Sequence, residues 1–477
     1  MKKTNSASVK PKKSQSIFRY SWYFWLWMAS SLLAVLIVTV IITAWSVRHV
    51  MIGGGFFSEV QSRIVIAVAE FPGLVYATVK QVGSQFGIDP LPLLKERKVV
   101  QQSNWIRHFP SAEDNGYLLF SGTDPVKKRS IVKLIRISDG VTVALWDPDW
   151  SGIFKHITSK KYAPIGDANS AQALHPLLLD NGDIVFNMMG AGMVRLSACS
   201  SKPVWVLDEV MHHSNELDES AVSIWVPSVT QDGFSDNDFF RNKIRDDALA
   251  QVSTDGRVLK KLSFVRILRD NDLQMLLSGA PRDADVVHIN QIQVAHQDSR
   301  YWLRGDLLIS AARTSTVYLY RPSTGKIIWH QSGPWMSQHS VDFVDDHRIS
   351  VFDNNVMYGG TRGHAFFSPN DINRVILYDF DTKQVSQPFA AMLGEAKPMT
   401  ITEGRARVLP DGGLFVEETN NGRHLRFTRD RLLWSRVNDY DENRIGAVAW
   451  SSYLTAEEAS APLKALASKS CITTTEK

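Results

Sequence analysis

The chain has 477 residues, 44% hydrophobic and 21% charged, with a formal net charge of +4. That length allows two to four ordinary domains, or one closed β-architecture that takes most of it. Six basic residues (Lys2, Lys3, Lys10, Lys12, Lys13 and Arg19) precede residue 20, so the body is near neutral and lacks the concentrated basic face of a nucleic-acid binder.

Residues 1–19 read as a polar, basic, disordered tail, placed in the cytoplasm. From Tyr20 to Val47 there is no charged side chain, and a bilayer core takes about 20 apolar residues. Trp22, Tyr23, Trp25 and Trp27 cluster at one end and Trp45 at the other, as interface anchors do. The basic excess on the N-terminal side predicts a single-pass signal-anchor over 20–47 in the inner (cell) membrane, with the body on the periplasmic or outer side. A cleaved signal peptide is the alternative; the run is too long for one, and no small-x-small cleavage site stands out after it. Residues 48–97 read as a helical stalk or packing segment. Gly53-Gly54-Gly55 breaks the first helix, and Phe57–Phe86 has helical apolar spacing interrupted at Pro72-Gly73. Whether that segment lies on the membrane, packs under the body or pairs with another copy in a homodimer stays open.

From about Lys98 the pattern changes to short β-like runs punctuated by turns. A hairpin whose second strand often ends in Trp starts at Ser130, Gly192, Asp247, Ser315, Asn373 and Gly422. Trp146, Trp205, Trp329 and Trp434 share one phase of it. A second element precedes each hairpin: an apolar run, a turn and another apolar run, as in HSVDFVDDHRISVF (339–352) and ARVLPDGGLFV (406–416). Two hairpins make a four-stranded blade, and six copies predict an all-β, six-bladed propeller over 98–455. Residues 456–477 are left as a C-terminal tail. Cys199 and Cys471 are the only cysteines; paired and unpaired thiols both remain open.

Aligned on their first turn, the blades carry a His or Arg five or six places before the turn Asp: His108, His175, His212 or His213, His339 and Arg405, with His288 upstream in the stretched fourth repeat. A lone His before a strand is most often a solvent-facing loop residue. Rotation about the axis of a propeller would instead bring equivalent positions to one mouth of its channel. Imidazoles with Arg and no carboxylate in phase suit an oxyanion better than a metal, since no His-x-x-His or Cys spacing closes a zinc site. No GxxxxGK[ST] loop offers a nucleotide phosphate cradle. Sulfate or phosphate esters are the natural ligands: neutral imidazole is a nucleophile, and cations stabilise charge on the transferring oxygens.

His288-Ile289-Asn290, GDLLISAARTSTV (305–317), the TGKIIW turn, and Gly333-Pro334-Trp335 followed by Gln338-His339 resemble the bacterial arylsulfate sulfotransferase family, as do His212-His213 and TEGRARVLPDG (402–412). The resemblance covers about 100–455. It implies transfer of a sulfuryl group from an aryl sulfate to a phenol acceptor without a nucleotide donor, cofactor or metal. It also implies that His339 is the transiently sulfated nucleophile. His288 and Asn290 would contact the sulfuryl oxygens or leaving phenol, Arg313 would bind sulfate charge, and His212 or His213, with His213 preferred, would complete the group. Arg405 and Trp335 are further candidate substrate contacts. The competing reading is a non-catalytic propeller that binds an anionic glycan or an envelope protein. A formylglycine sulfatase is disfavoured, because neither cysteine opens a Cys-x-Pro-x-Arg motif.

Overall fold

The computed structural model describes residues 16–51, 56–58, 60–62, 64–69, 94–96, 104–109, 114–158, 170–188, 191–198, 200–230, 244–279, 285–359, 364–366 and 372–469. They fall into two units, Met1–Pro90 and Leu91–Lys477. Both cysteines and the rest of the 57–86 segment beyond residue 69 lie outside the described residues.

The first unit is built on the helix Ser16–Met51. Its stretch Trp22–Val50 is 29 residues long with mean hydropathy 2.4, long and apolar enough to cross a membrane. The hydroxyls of Ser30 and Thr39 donate to the carbonyls of Leu26 and Val35, each at 2.8 Å, so these polar groups are satisfied within the helix.

The second unit is a six-bladed β-propeller. Blade 2 runs through Leu174–Leu178, Ile184–Met188, Gly192–Leu196 and Pro203–Leu207; blade 3 spans Glu216–Leu217 to Val258–Ser263; blade 4 spans Ile289–Val294 to Lys326–Ser332. Blade 5 is Val341–Phe343, Arg348–Asp353, Arg374–Asp379 and Gln384–Ser386. The predicted hairpins are its outer halves, and the phased tryptophans lie on outer strands.

The two remaining blades are assembled from both ends of the chain. Blade 1 takes Tyr117–Asp124, Arg129–Arg136 and Thr142–Trp146 from the front and its innermost strand, Ser452–Leu454, from the back, with Leu119 opposite Ser452. Blade 6 (Arg405–Val408 to Leu432–Val437) gains an extra outer strand, Trp105–Arg107, which covers Trp434 at a ring separation of 5.0 Å. The ring is therefore closed twice, once by the innermost strand of blade 1 and once by the outermost strand of blade 6.

Six apolar clusters fill the six gaps between neighbouring blades. Each sheet is thus buried on both faces, which is why strands such as Leu307–Ala311 are continuously buried rather than alternating. After the last strand, the helix Ala456–Ser468 opens with a reciprocal Thr455–Glu458 capping box and sends Leu466 into the gap between blades 1 and 2.

Candidate active site: imidazoles at the head of the blades

One non-glycine residue with positive φ stands at or just ahead of each innermost strand. These are Trp450 (58°), His175 (47°), His213 (59°), His288 (55°), Ser337 (53°) and Glu403 (58°), for blades 1 to 6 in turn. Left-handed backbone is disfavoured for such residues, by roughly 1–2 kcal/mol each. Six in register mark a shared structural demand. The heads converge. The His213 ring lies 5.1 Å from His288, 6.3 Å from His339 and 6.0 Å from Trp450. Trp450 in turn lies 5.3 Å from His175 and 6.4 Å from His339.

Hydrogen bonds fix the tautomer of His339. The Asn354 side-chain amide donates to the carbonyls of Thr400 (3.1 Å) and Glu403 (2.9 Å), so its Oδ1 is the acceptor facing His339 Nδ1 at 2.7 Å. Nδ1 therefore carries the proton, and Nε2 carries the lone pair, which accepts from the Glu403 backbone N–H at 2.8 Å. Burial, reinforced by the charge of His288, brings the imidazole down from its ordinary 6.5 to about 3. His339 is a neutral base with a fixed, directed lone pair.

The same logic runs through the pair behind it. His212 Nε2 faces the Ser228 carbonyl at 3.2 Å, so His212 Nδ1 accepts from His213 Nδ1–H at 2.8 Å and leaves the His213 lone pair on Nε2. Burial holds both well below 6.5. His288, partly exposed, donates from Nδ1 to Asp285 at 2.5 Å, which leaves its Nε2 for a ligand. Burial pushes the Asp285 carboxyl up, but the charges of His288, Arg245 and Arg313 override it and hold the group ionised.

The other predicted residues divide. Arg313 lies beside Asp285, with its backbone N–H donating to the Val287 carbonyl at 3.1 Å. Arg405 reaches the group from blade 6: Nη1 is 2.8 Å from His175 Nε2 and donates to Ser452 Oγ at 2.8 Å. Asn290 is buried and donates to the Gln338 carbonyl at 2.9 Å, so it positions the strand that carries His339. Trp335 lies in the apolar gap between blades 4 and 5, not in the site.

His108 corrects the phase argument. It is exposed on the outer edge of blade 6, with Nε2 3.3 Å from Ser435 Oγ. The alignment fails there because the innermost strand of blade 1 comes from the C-terminal end, and the position at the mouth belongs to Trp450. Glu417 holds that residue in place, accepting from the N–H groups of Trp450 (2.8 Å) and Ser451 (2.5 Å).

Asn354, Asp285 and Glu403 are the other residues missed. The first two look like turn residues in FDNN and DADVVH, and the third contributes through its backbone. Glu403 also carries a carboxyl pushed up to about 7 by burial and by the charge of Glu417. Among the described residues, the one His–carboxylate group spaced for a metal ion is Asp345, Asp346 and His347 in a turn of blade 5, apart from these rings.

A closed ring of six blades brings neutral imidazoles, a His–carboxylate pair and two guanidiniums together. The profile of the arylsulfotransferase (ASST) family matches residues 175–438, which takes in every imidazole of the group, and the chain belongs to that family. No curated protein matches it. Similar solved structures include a Bacteroides caccae protein of unknown function (11% identity, TM-score 0.41, covering 72% of this chain and 99% of that one). Others are the Neurospora crassa Pan2 WD40 domain (12%, 0.36, 75% and 96%) and U3-55K (7%, 0.37, 70% and 84%).

Proposed function

We propose that the chain is a membrane-anchored aryl-sulfate sulfotransferase that moves a sulfuryl group between phenolic oxygens through a sulfohistidine at His339, with its propeller on the periplasmic side. The observation that carries this reading is the fixed tautomer of His339, which keeps a neutral lone pair on Nε2 well above about pH 3. In the first half-reaction that lone pair leaves the Glu403 N–H and attacks sulfur. The bond between sulfur and the aryl oxygen breaks, and a proton from His288 Nε2, oriented through Asp285, neutralises the departing phenolate. The freed Glu403 N–H then has a sulfuryl oxygen to bind, as an oxyanion donor does. In the second half-reaction the acceptor phenol loses its proton to the bare nitrogen of His288 or to His213, attacks sulfur, and the N–S bond breaks to restore His339. Arg313 counters the sulfuryl charge.

One observation favours the non-catalytic alternative, a propeller that only binds an anionic glycan or an envelope protein: the His339 lone pair is occupied by a backbone donor here. Incubation with an aryl sulfate and a phenol decides between them. The transferase reading expects sulfate transfer by the wild type and a loss of roughly 10⁴-fold or more in His339→Ala. Absence of transfer across several donors would leave the binding platform.

A further inference from the structure

His175 is held between two donors. The Asn215 backbone N–H points at Nδ1 from 3.0 Å, and Arg405 Nη1 stands 2.8 Å from Nε2. A neutral imidazole has one lone pair and one N–H. Because the backbone amide has no choice of role, Nδ1 must be its acceptor, and Nε2 must carry the hydrogen. That N–H then faces a guanidinium N–H with no acceptor between them. Protonating the ring only adds a charge beside Arg405, and burial together with that guanidinium already drives the imidazole well below 6.5. Turning Arg405 away is also resisted, since the same Nη1 is tied to Ser452 Oγ at 2.8 Å. Both ring nitrogens of His339 and of His212, by contrast, face complementary partners.

We propose that Arg405 and the Nε2–H of His175 form a second oxyanion subsite. It would receive an anionic substituent, of the sulfate or carboxylate class, on the donor or acceptor of the reaction proposed above. Two converging donors, one of them cationic, are what an oxyanion requires and what an imidazole cannot satisfy. The subsite is contributed by blades 2 and 6. It meets the nucleophile through Trp450, whose ring contacts His175 at 5.3 Å and His339 at 6.4 Å. An aryl sulfate with a second anionic group would therefore engage both sides of that indole. This deepens the transferase reading by naming a substrate class, but the binding it describes does not need turnover.

The test uses inorganic sulfate as the probe and the full chain in detergent. Arg405→Gln supplies Oε1 as the acceptor that His175 lacks while it can still reach Ser452. The expected result is that sulfate-free Arg405→Gln melts no lower than wild type, while its sulfate affinity drops at least tenfold. A variant that melts lower with unchanged sulfate affinity overturns the proposal and leaves Arg405 a tie to the closing strand. Should Arg405→Gln not fold, ¹⁵N spectra of the wild-type histidines decide: sulfate must move the His175 ring nitrogens, and unmoved signals at saturation refute the subsite. Loss of transferase activity with the sulfate response intact would instead count against the catalytic reading alone.

Discussion

His339 and His175 stand at the heads of the innermost strands of blades 5 and 2, and both are buried and neutral. Their ring nitrogens meet opposite surroundings. Those of His339 face acceptors at Nδ1, Asn354 Oδ1 and the Ser337 carbonyl, and a donor at Nε2, the Glu403 N–H. Those of His175 face two donors. The first ring is a finished, preorganised base whose direction is set before any substrate arrives. The second is left one acceptor short, and only a ligand can provide it. Equivalent places in a repeating fold can thus be given different tasks by the atoms set around them, without change of residue type.

The sharpest way to break this contrast is to remove what finishes His339. Asn354→Leu takes away the nearer of the two acceptors on Nδ1–H and leaves only the Ser337 carbonyl at 3.2 Å, so the positive charge that the ring gains as it attacks sulfur loses its main partner and kcat should fall by roughly 10³- to 10⁴-fold. Normal kcat in that variant would mean that Asn354 does not support the attacking ring. A smaller effect, of roughly 10²-fold, is expected from Asp285→Asn, which weakens the orientation and acidity of His288. That loss should grow as the leaving phenol becomes more basic. An equal loss for acidic and basic phenols would remove His288 from the role of proton donor.

The smallest effect is on stability. His339 titrates near 3 when folded and near 6.5 when unfolded, so the unfolded chain takes up the proton first as pH falls. The stability this ring contributes is complete above about pH 6.5 and is lost as pH drops toward 3. Relative to His339→Gln, the wild type should lose up to about 1.4 kcal/mol per pH unit across that window. Parallel pH profiles of the two proteins, followed by denaturant unfolding, would show that the ring is not held neutral.

The blades and the phase of the histidines were legible in the sequence; the contrast between the two rings was not. The repeats exposed the blades because each gap must be filled by apolar side chains from both neighbours, which imposes the same pattern six times. The phase of the histidines followed, because the turn into each innermost strand recurs. His175, His213, His288 and His339 were found that way. Trp450 and His108 were not, since blade 1 borrows its innermost strand from the far end of the chain and a linear alignment cannot see an exchange of partners. Trp335 and Asn290 sit beside site residues in the sequence, but their side chains point into a blade gap and onto the Gln338 carbonyl. The tautomers, and with them the contrast between His339 and His175, depend on which donor or acceptor stands opposite each nitrogen. That is a property of packed strands, not of residue order.

Transit of the sulfuryl group on His339 can be observed directly. The protein is mixed with an aryl sulfate and no acceptor, quenched under alkaline conditions, and its peptides are weighed. One sulfuryl group is expected on the peptide containing His339, removed when a phenol is added before the quench. Turnover of the same donor with no modified peptide at any time, or with the added mass on another residue, would contradict it.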